Sequence, residues 1–457
     1  MTARGRQPLR IAVVGGGIAG MAAAEEVGAR GHLAEIFEAT ASLGGRIAPD
    51  ELASREIFLG GKNIGRRYQR FRELFERRGQ GDYEVFGPES GQVWRGKVRT
   101  LSFSSPSMKL RLGGRMVLRG QVGGGRRFLR LARQVRQDPE SAHLGDRFFE
   151  DLALETGDPT VPDYVGTALC QDVVRHMTVR MNAAEPEECH LGNMGTNLGL
   201  VVDRFDQLTG TALGDWIRAV QAAHATHTKM RIAGLARKGG RVDGIVGADG
   251  VERCFDGVVL ALPAHAAALV IGEQEAALSS LLCTIRYFPV GVVVAEYDRP
   301  AFPEAFAALT APAGMALSNA GSYGLRDRHV VRYTFSGRSA RDRISPDIFD
   351  PEALLSEAEG FLGRHAPVAQ ARRVGFAARA FRPGLCAYRQ DHAAFLREAR
   401  SRLSALPGLA LAGDYMRGAS LEACVRSGQE AAEQVLAGAR RDGGGQVEPA
   451  GDHASVG

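Results

Sequence analysis

Three glycines spaced Gly15-x-Gly17-x-x-Gly20 follow the short apolar run Leu9–Val14 and open a stretch of helix formers, Met21–Ala29. A strand, a glycine turn and a helix in that order can receive a dinucleotide pyrophosphate. Gly15 permits the tight turn, Gly17 lets the backbone approach the phosphates, and Gly20 allows close helix–strand packing. The helix start at Ile18 and Ala19 then offers unpaired N–H groups and a partial positive charge to an anion. A second apolar run, Leu33–Phe37, ends at Glu38-Ala39, 18 residues beyond Gly20. A carboxylate at Glu38 can accept from both ribose hydroxyls and disfavours a 2′-phosphate, so NADP is not the expected ligand.

The segment from Glu38 through Gly44-Gly45-Arg46 resembles the Glu-x5-Gly-Gly-Arg signature of the flavin-containing amine oxidase and protoporphyrinogen oxidase superfamily. The resemblance implies FAD rather than NAD, with Arg46 reaching its diphosphate and ribose region. Phe58-Leu59-Gly60-Gly61-Lys62-Asn63-Ile64-Gly65 is similar to the family's Asp-Leu-Gly-Gly-x-x-Ile-Gly loop beside the flavin ring, with Phe58 in place of the Asp and Lys62-Asn63 in place of a small-aromatic pair. Leu411–Tyr415 and Ser420–Gly428 resemble the C-terminal motif. By that resemblance Gly413 and Asp414 meet the ribityl chain, and a helix beginning near Leu421 points its N-terminus at the flavin, stabilising the reduced anion. Val258–Ala264 matches the family's Val-Val-Leu-Ala-Leu-Pro-Ala strand, and Ile232 falls where a backbone group meets adenine. The implied fold is α/β: a Rossmann-like FAD-binding domain of the glutathione-reductase-2 type with an interleaved α+β substrate-binding domain.

The resemblance implies little acid–base machinery, because the flavin takes the hydride and O2 reoxidises it. Amine oxidases of the family carry a Lys on the strand corresponding to Pro289–Tyr297; here Val292 stands there, and no Lys follows Lys238. Gly384–His392 is similar to the protoporphyrinogen oxidase segment Ala-Leu-Pro-x-Tyr-x-x-Gly-His, keeping Tyr388 and His392 and placing Cys386 at its Pro. Lys62, Asn63, Cys386 and Tyr388 are therefore the substrate-side candidates. Cys386 lies one residue out of register with the cysteine that attaches flavin in some monoamine oxidases, so non-covalent FAD is expected. No catalytic residue and no metal site is assigned.

Positioning these residues requires strands and helices far apart in sequence. After the N-terminal βαβ unit, strand-type sequence returns at Lys229–Val246, Val258–Leu262, Tyr287–Tyr297 and Leu409–Ala412, and Leu421–Leu436 reads as a closing helix. Gly113-Gly114 and Gly123–Gly125 read as turns of an inserted domain. The expected division is 1–82, 216–280 and 401–440 for FAD binding, 83–215 and 281–400 for substrate, and 441–457 as a disordered tail. With 44% hydrophobic and 24% charged residues the chain can bury a large core. No apolar run is expected to reach the roughly 20 residues of a membrane span, and no secretory leader is expected, so the reading is cytoplasmic. The six cysteines show no CxxC or zinc spacing and are expected reduced.

The net charge of +5 carries no nucleic-acid-binding motif, and nucleic acid is not an expected partner. Lys109–Arg136 holds nine basic residues and no acid, with Phe128, Leu131 and Val135 at helical spacing. It is a solvated face or a dock for an anionic carrier or membrane surface. The whole reads as a FAD-dependent oxidase or dehydrogenase taking a hydride from a C–N or C–C bond of a bulky, largely apolar small molecule, in a biosynthetic role. The alternatives are a non-redox flavin isomerase and a cofactor-free binding protein related to GDP-dissociation inhibitors.

Overall fold

The computed structural model describes residues 7–85, 90–94, 97–100, 106–208, 211–303, 308–324, 327–345 and 347–442. Strand β1 (Arg10–Val14) is apolar because both its faces are covered, and Ile11, Ala12 and Val13 are wholly buried. It is the centre of a five-stranded parallel sheet whose order is 225–227, β2 (Leu33–Phe37), β1, Gly257–Leu260 and Leu409–Leu411. Val14 pairs with Phe37 on one side and Leu260 on the other. The carboxyl ends of these strands therefore open on one edge, where ligands of open α/β sheets bind.

Helix α1 (Ile18–Ala29) covers one face together with the C-terminal helix Leu421–Asp442. The two approach so closely that a Cβ on Gly428 would lie 2.1 Å from the Ala19 carbonyl oxygen. On the other face, the sheet Ile232–Lys238, Arg241–Gly247 and Glu252–Cys254 shares a core with the helix Ala264–Ile271.

A seven-stranded mixed sheet forms the second large layer, in the order Arg373–Ala387, Arg286–Tyr297, Val330–Phe335, Leu317–Ser322, Ala308–Thr310, Ser90–Trp94 and Lys97–Thr100. A small sheet joins Asn63–Gly65 and Tyr83–Val85 to Phe205–Leu208, tying the glycine-rich N-terminal segment to the helical region between the layers.

Three sequence expectations change. Gly113-Gly114 and Gly123–Gly125 are not turns: they lie inside helices α3 (Pro106–Leu118) and α4 (Val122–Gln137), joined by a helix-to-helix connection at Gly120. Gly124 sits where a Cβ would meet the Val165 carbonyl oxygen at 1.9 Å, so it serves close packing. Lys229–Val246 is strand as expected, in the form of two antiparallel strands turning at Gly239-Gly240, both at positive φ. Ala264–Cys283 is 20 residues long and apolar enough by composition to cross a membrane, contrary to the expectation that no segment is. Its helix breaks at Gly272, at φ +60°, and only the part from Ala264 to Ile271 is largely buried. The closing helix runs to Asp442 rather than stopping at Leu436, and residues 443–457 of the expected tail lie outside the described residues.

Candidate functional site

The loop after β1 has the geometry that its glycines require. Gly15 adopts φ +105°, and a Cβ there would lie 2.4 Å from the Ala261 carbonyl oxygen; a Cβ on Gly20 would lie 1.9 Å from the Gly15 carbonyl oxygen. Gly17, by contrast, faces open space. It begins α1, whose first turn has no side-chain cap and no acidic residue. The first-turn N–H groups and the positive end of the helix dipole are thus left for an anion.

Glu38 is buried at the end of β2. One carboxylate oxygen accepts from the Gly16 N–H at 2.8 Å, and the other accepts from the N–H and Oγ1 of Thr40, each at 2.8 Å. Three of roughly four acceptor sites on the carboxylate are used inside the chain, leaving about one for a hydroxyl donor. Glu38 therefore shapes the glycine loop as well as facing the cavity.

These groups border one cavity of about 520 Å³, within the range of cofactor sites. Of the residues expected to hold a cofactor, Gly15, Gly17, Ile18, Ala19, Glu38, Gly45, Arg46, Gly60, Gly61, Gly413, Asp414 and Leu421 line it, and so do Lys62 and Asn63. Gly20, Ala39 and Ile232 do not. Gly20 is occupied in helix–strand packing, the role expected of it, Ala39 is exposed on the outside of the loop, and the Ile232 side chain is buried in the core of the small antiparallel sheet, its expected contact being through the backbone.

Cys386 and Tyr388 are also corrected. Alternation along the strand Arg373–Ala387 turns Leu385 into the cavity and Cys386 away from it, fully buried. Burial, then the Asp414 charge, push the Cys386 thiol well above its ordinary range, which removes the thiolate that covalent chemistry needs. Tyr388 is buried with its OH 3.4 Å from the Asp414 carbonyl oxygen and its ring against His392. His392 is structural, donating from Nε2 to the Tyr415 carbonyl at 2.8 Å, and desolvation draws its pKa down to about 4.

Arg46 and Asp414, 368 residues apart in the chain, meet in the wall of the cavity. Arg46 Nη1 donates to Asp414 Oδ2 at 2.7 Å and to the Gly384 carbonyl at 2.8 Å, while Tyr287 OH donates to Asp414 Oδ1 at 2.8 Å. Burial, the largest single influence, pulls the Arg46 pKa down, but Asp414 together with Cys424 and Tyr287 outweighs it and the net shift is upward. Sequence reasoning missed Tyr287, whose partner is remote in the chain.

Two further residues of the C-terminal motif hold the site's framework. Glu422 accepts from the backbone N–H of Arg70 at 3.2 Å and Phe71 at 2.8 Å, satisfying first-turn donors of helix α2 (Gln69–Glu76). Ser427 Oγ accepts from the Gly413 N–H at 3.0 Å, which holds the turn carrying Asp414.

The cavity continues onto the seven-stranded sheet, where Asn319, Gly321, Arg332 and Thr334 line it, and onto Arg180 and Met181 of the helix Arg175–Met181. Val292 does not line it; it is buried among Leu52, Ile57 and Val294. The lysine at the cavity comes instead from Lys62, which donates to the Tyr323 carbonyl and lies 3.6 Å from the centre of the Tyr323 ring. Desolvation, then repulsion from Arg332, lower its pKa to about 7.

An uncapped helix start, a facing arginine and a ribose-side carboxylate along one elongated cavity fit FAD. The family model of flavin containing amine oxidoreductases matches residues 18–436. Among solved structures, cyclohexylamine oxidase from Brevibacterium oxydans IH-35A is similar at 17% identity and TM-score 0.69, covering 96% of this chain and 100% of that one. A protoporphyrinogen oxidase-like protein from Exiguobacterium sp. 255-15 is similar at 16% identity and TM-score 0.68, covering 94% and 99%. A fatty acid isomerase from P. acnes that produces CLA is similar at 15% identity and TM-score 0.65, covering 92% and 97%. At such identities these structures speak for the fold, and the match along most of the chain speaks for the family. The chain belongs to the flavin-containing amine oxidoreductases and is a FAD-dependent oxidoreductase.

Proposed function

We propose that the enzyme removes a hydride from a C–N or C–C bond of a bulky, largely apolar small molecule in a biosynthetic reaction, with O2 restoring the oxidised cofactor. The observation that carries this reading is the single cavity running from the α1 N-terminus and Glu38 to the face of the seven-stranded sheet. Bound FAD supplies the hydride acceptor. The chain's own residues do the rest. The α1 N–H groups and Arg46 suit the diphosphate, Glu38 a ribose hydroxyl, and the turn at Gly413-Asp414 the segment toward the ring. Met181, Phe205, Leu262 and Leu385 give the remaining wall an apolar character that orients a hydrophobic substrate and limits water. The buried Cys386 thiol supports non-covalent FAD: acid precipitation should release the yellow colour into the supernatant.

Anaerobic titration of the holoenzyme against a metabolite panel tests the proposal. The expected result is bleaching of the flavin band and its return on admitting air. A substrate that rearranges while the flavin stays oxidised at every stage would replace oxidation by isomerisation.

A peripheral membrane position within the cytoplasm suits such a substrate. Helices α3 and α4 leave Leu110, Leu118 and Leu129 exposed, at 80%, 87% and 66%, among Arg115, Arg119, Arg126, Arg130 and Arg133. Phe128, Leu131 and Val135 face inward. Co-sedimentation with phosphatidylglycerol vesicles but not phosphatidylcholine vesicles is the expected result.

A further inference from the structure

The two ends of the cavity differ in charge. Its acidic lining residues, Glu38 and Asp414, both stand at the parallel-sheet end and are engaged there, Glu38 by the glycine loop and Asp414 by Arg46 and Tyr287. The end formed by the seven-stranded sheet carries arginine instead. Arg332 extends from the strand Val330–Phe335 and donates from Nη1 to the Phe58 carbonyl and from Nη2 to the Leu59 carbonyl, each at 3.0 Å. These carbonyls fix the guanidinium in place without neutralising it.

Arg180 has still less. Among the described residues it makes neither a hydrogen bond nor an ion pair. The acids that follow it are taken: Glu185 by Arg175 at 2.7 Å and 3.2 Å, and Glu188 by Arg341 at 2.8 Å. Desolvation lowers the pKa of Arg180; Arg332 is lowered to about 10, mainly by desolvation and further by Arg180. A cation withdrawn from bulk water without a counter-charge is costly unless something else supplies one. Thr334 and Asn319, paired across neighbouring strands, add neutral hydrogen-bonding groups on the same wall.

We propose that Arg180 and Arg332 form the head-group pocket of the substrate, and that the substrate is an apolar molecule bearing a carboxylate rather than an amine. This rests on reading the cavity as the joint flavin and substrate site. Guanidinium forks match carboxylates in geometry and charge, whereas an ammonium group would meet like charge. The FAD diphosphate is not the anion these arginines await: the uncapped α1 start and Arg46, which suit it, belong to the other end of the cavity.

Three probes that share one aromatic body decide the matter: 2-naphthoate, 2-naphthylmethylamine and 2-naphthylmethanol. Each is titrated into the FAD-loaded protein, with binding read both from the flavin difference spectrum and from naphthyl fluorescence. The carboxylate should bind about ten- to a hundredfold more tightly than the amine or the alcohol. Arg180→Met should lose that advantage at unchanged FAD content, and Arg180→Lys should keep part of it. Equal or tighter binding of the amine, no binding of the carboxylate, or unchanged carboxylate affinity in Arg180→Met would overturn the proposal. If Arg180→Met does not fold, the order of the three probes on the wild-type protein decides alone. Failure of the underlying flavin reading shows separately, as wild-type protein that neither carries nor takes up FAD, and naphthyl fluorescence still reports carboxylate preference in that case.

Discussion

Replacing Asp414 by Asn tests the parallel-sheet end of the cavity with almost no change of shape. Asp414 is 1% exposed, and its two oxygens serve different donors, Arg46 and Tyr287. Asparagine has one acceptor oxygen, so its amide N–H must face one of those donors and leave it unpaired. Losing a hydrogen bond to a charged group costs about 1.5–3 kcal/mol. Removing one partner of a fully buried ion pair costs about 3–5 kcal/mol, because the other charge is left uncompensated.

Arg46 keeps 37% of its side-chain surface exposed and retains the Gly384 carbonyl, so solvent absorbs part of that penalty. A loss of about 2–4 kcal/mol follows for the protein without FAD. Urea unfolding of wild type and variant under identical conditions measures it. The companion variant Tyr287→Phe removes the competing hydroxyl and lets the Asn oxygen turn to Arg46. The double variant should therefore be less destabilised than the two single changes together. A stability within about 0.5 kcal/mol of wild type for Asp414→Asn, or strict additivity in the cycle, would refute this account of the pair.

Three further outcomes are expected. Glu38→Ala should weaken FAD binding about ten- to a hundredfold, by loss of a charge-assisted contact and of the acceptor that holds the Gly16 N–H, as equilibrium dialysis would show. Gly428→Ala places a Cβ 2.1 Å from the Ala19 carbonyl oxygen, so it should cost about 1–3 kcal/mol in thermal or urea unfolding and shift the start of α1 enough to lower flavin affinity. Lys62 has its pKa lowered from 10.5 to about 7 by desolvation and Arg332, against the opposing charges of Glu84 and Asp327. Between those values the unfolded chain binds the proton and the native protein does not, so Lys62 makes stability rise with pH across that window. Lys62→Met should flatten that rise in denaturation midpoints measured from pH 7 to pH 10, and an unchanged slope would count against a buried Lys62.

Much of the cofactor end was legible from residues alone because its constraints are local. A glycine at positive φ, a glycine pressed on a carbonyl and a carboxylate closing a strand each leave their mark within a few residues, and Gly15, Gly17, Glu38, Arg46 and Asp414 all line one cavity. The same motifs misled where a residue's direction mattered more than its presence. Cys386 lies on the right strand but faces away, since a shift of one residue exchanges the two faces of a sheet, and Tyr388, just past the end of that strand, is buried against His392. Gly123–Gly125 read as a turn because helix interiors rarely hold three glycines, yet the contact of Gly124 with the Val165 backbone needs a bare surface there.

The substrate end had no comparable signal. Arg180 and Arg332 are two of 52 arginines, 152 residues apart, and nothing in their neighbours distinguishes them from arginines paired on the surface. What sets them apart is that, among the described residues, no carboxylate pairs with them, a property of how the helix Arg175–Met181 and the strand Val330–Phe335 line the cavity. Local backbone requirements made the dinucleotide loop readable from its residues, and resemblance of its motifs pointed to the family. Which charges are compensated and which are left facing a ligand emerges only in three dimensions, because electrostatic balance depends on distances in space and not along the chain.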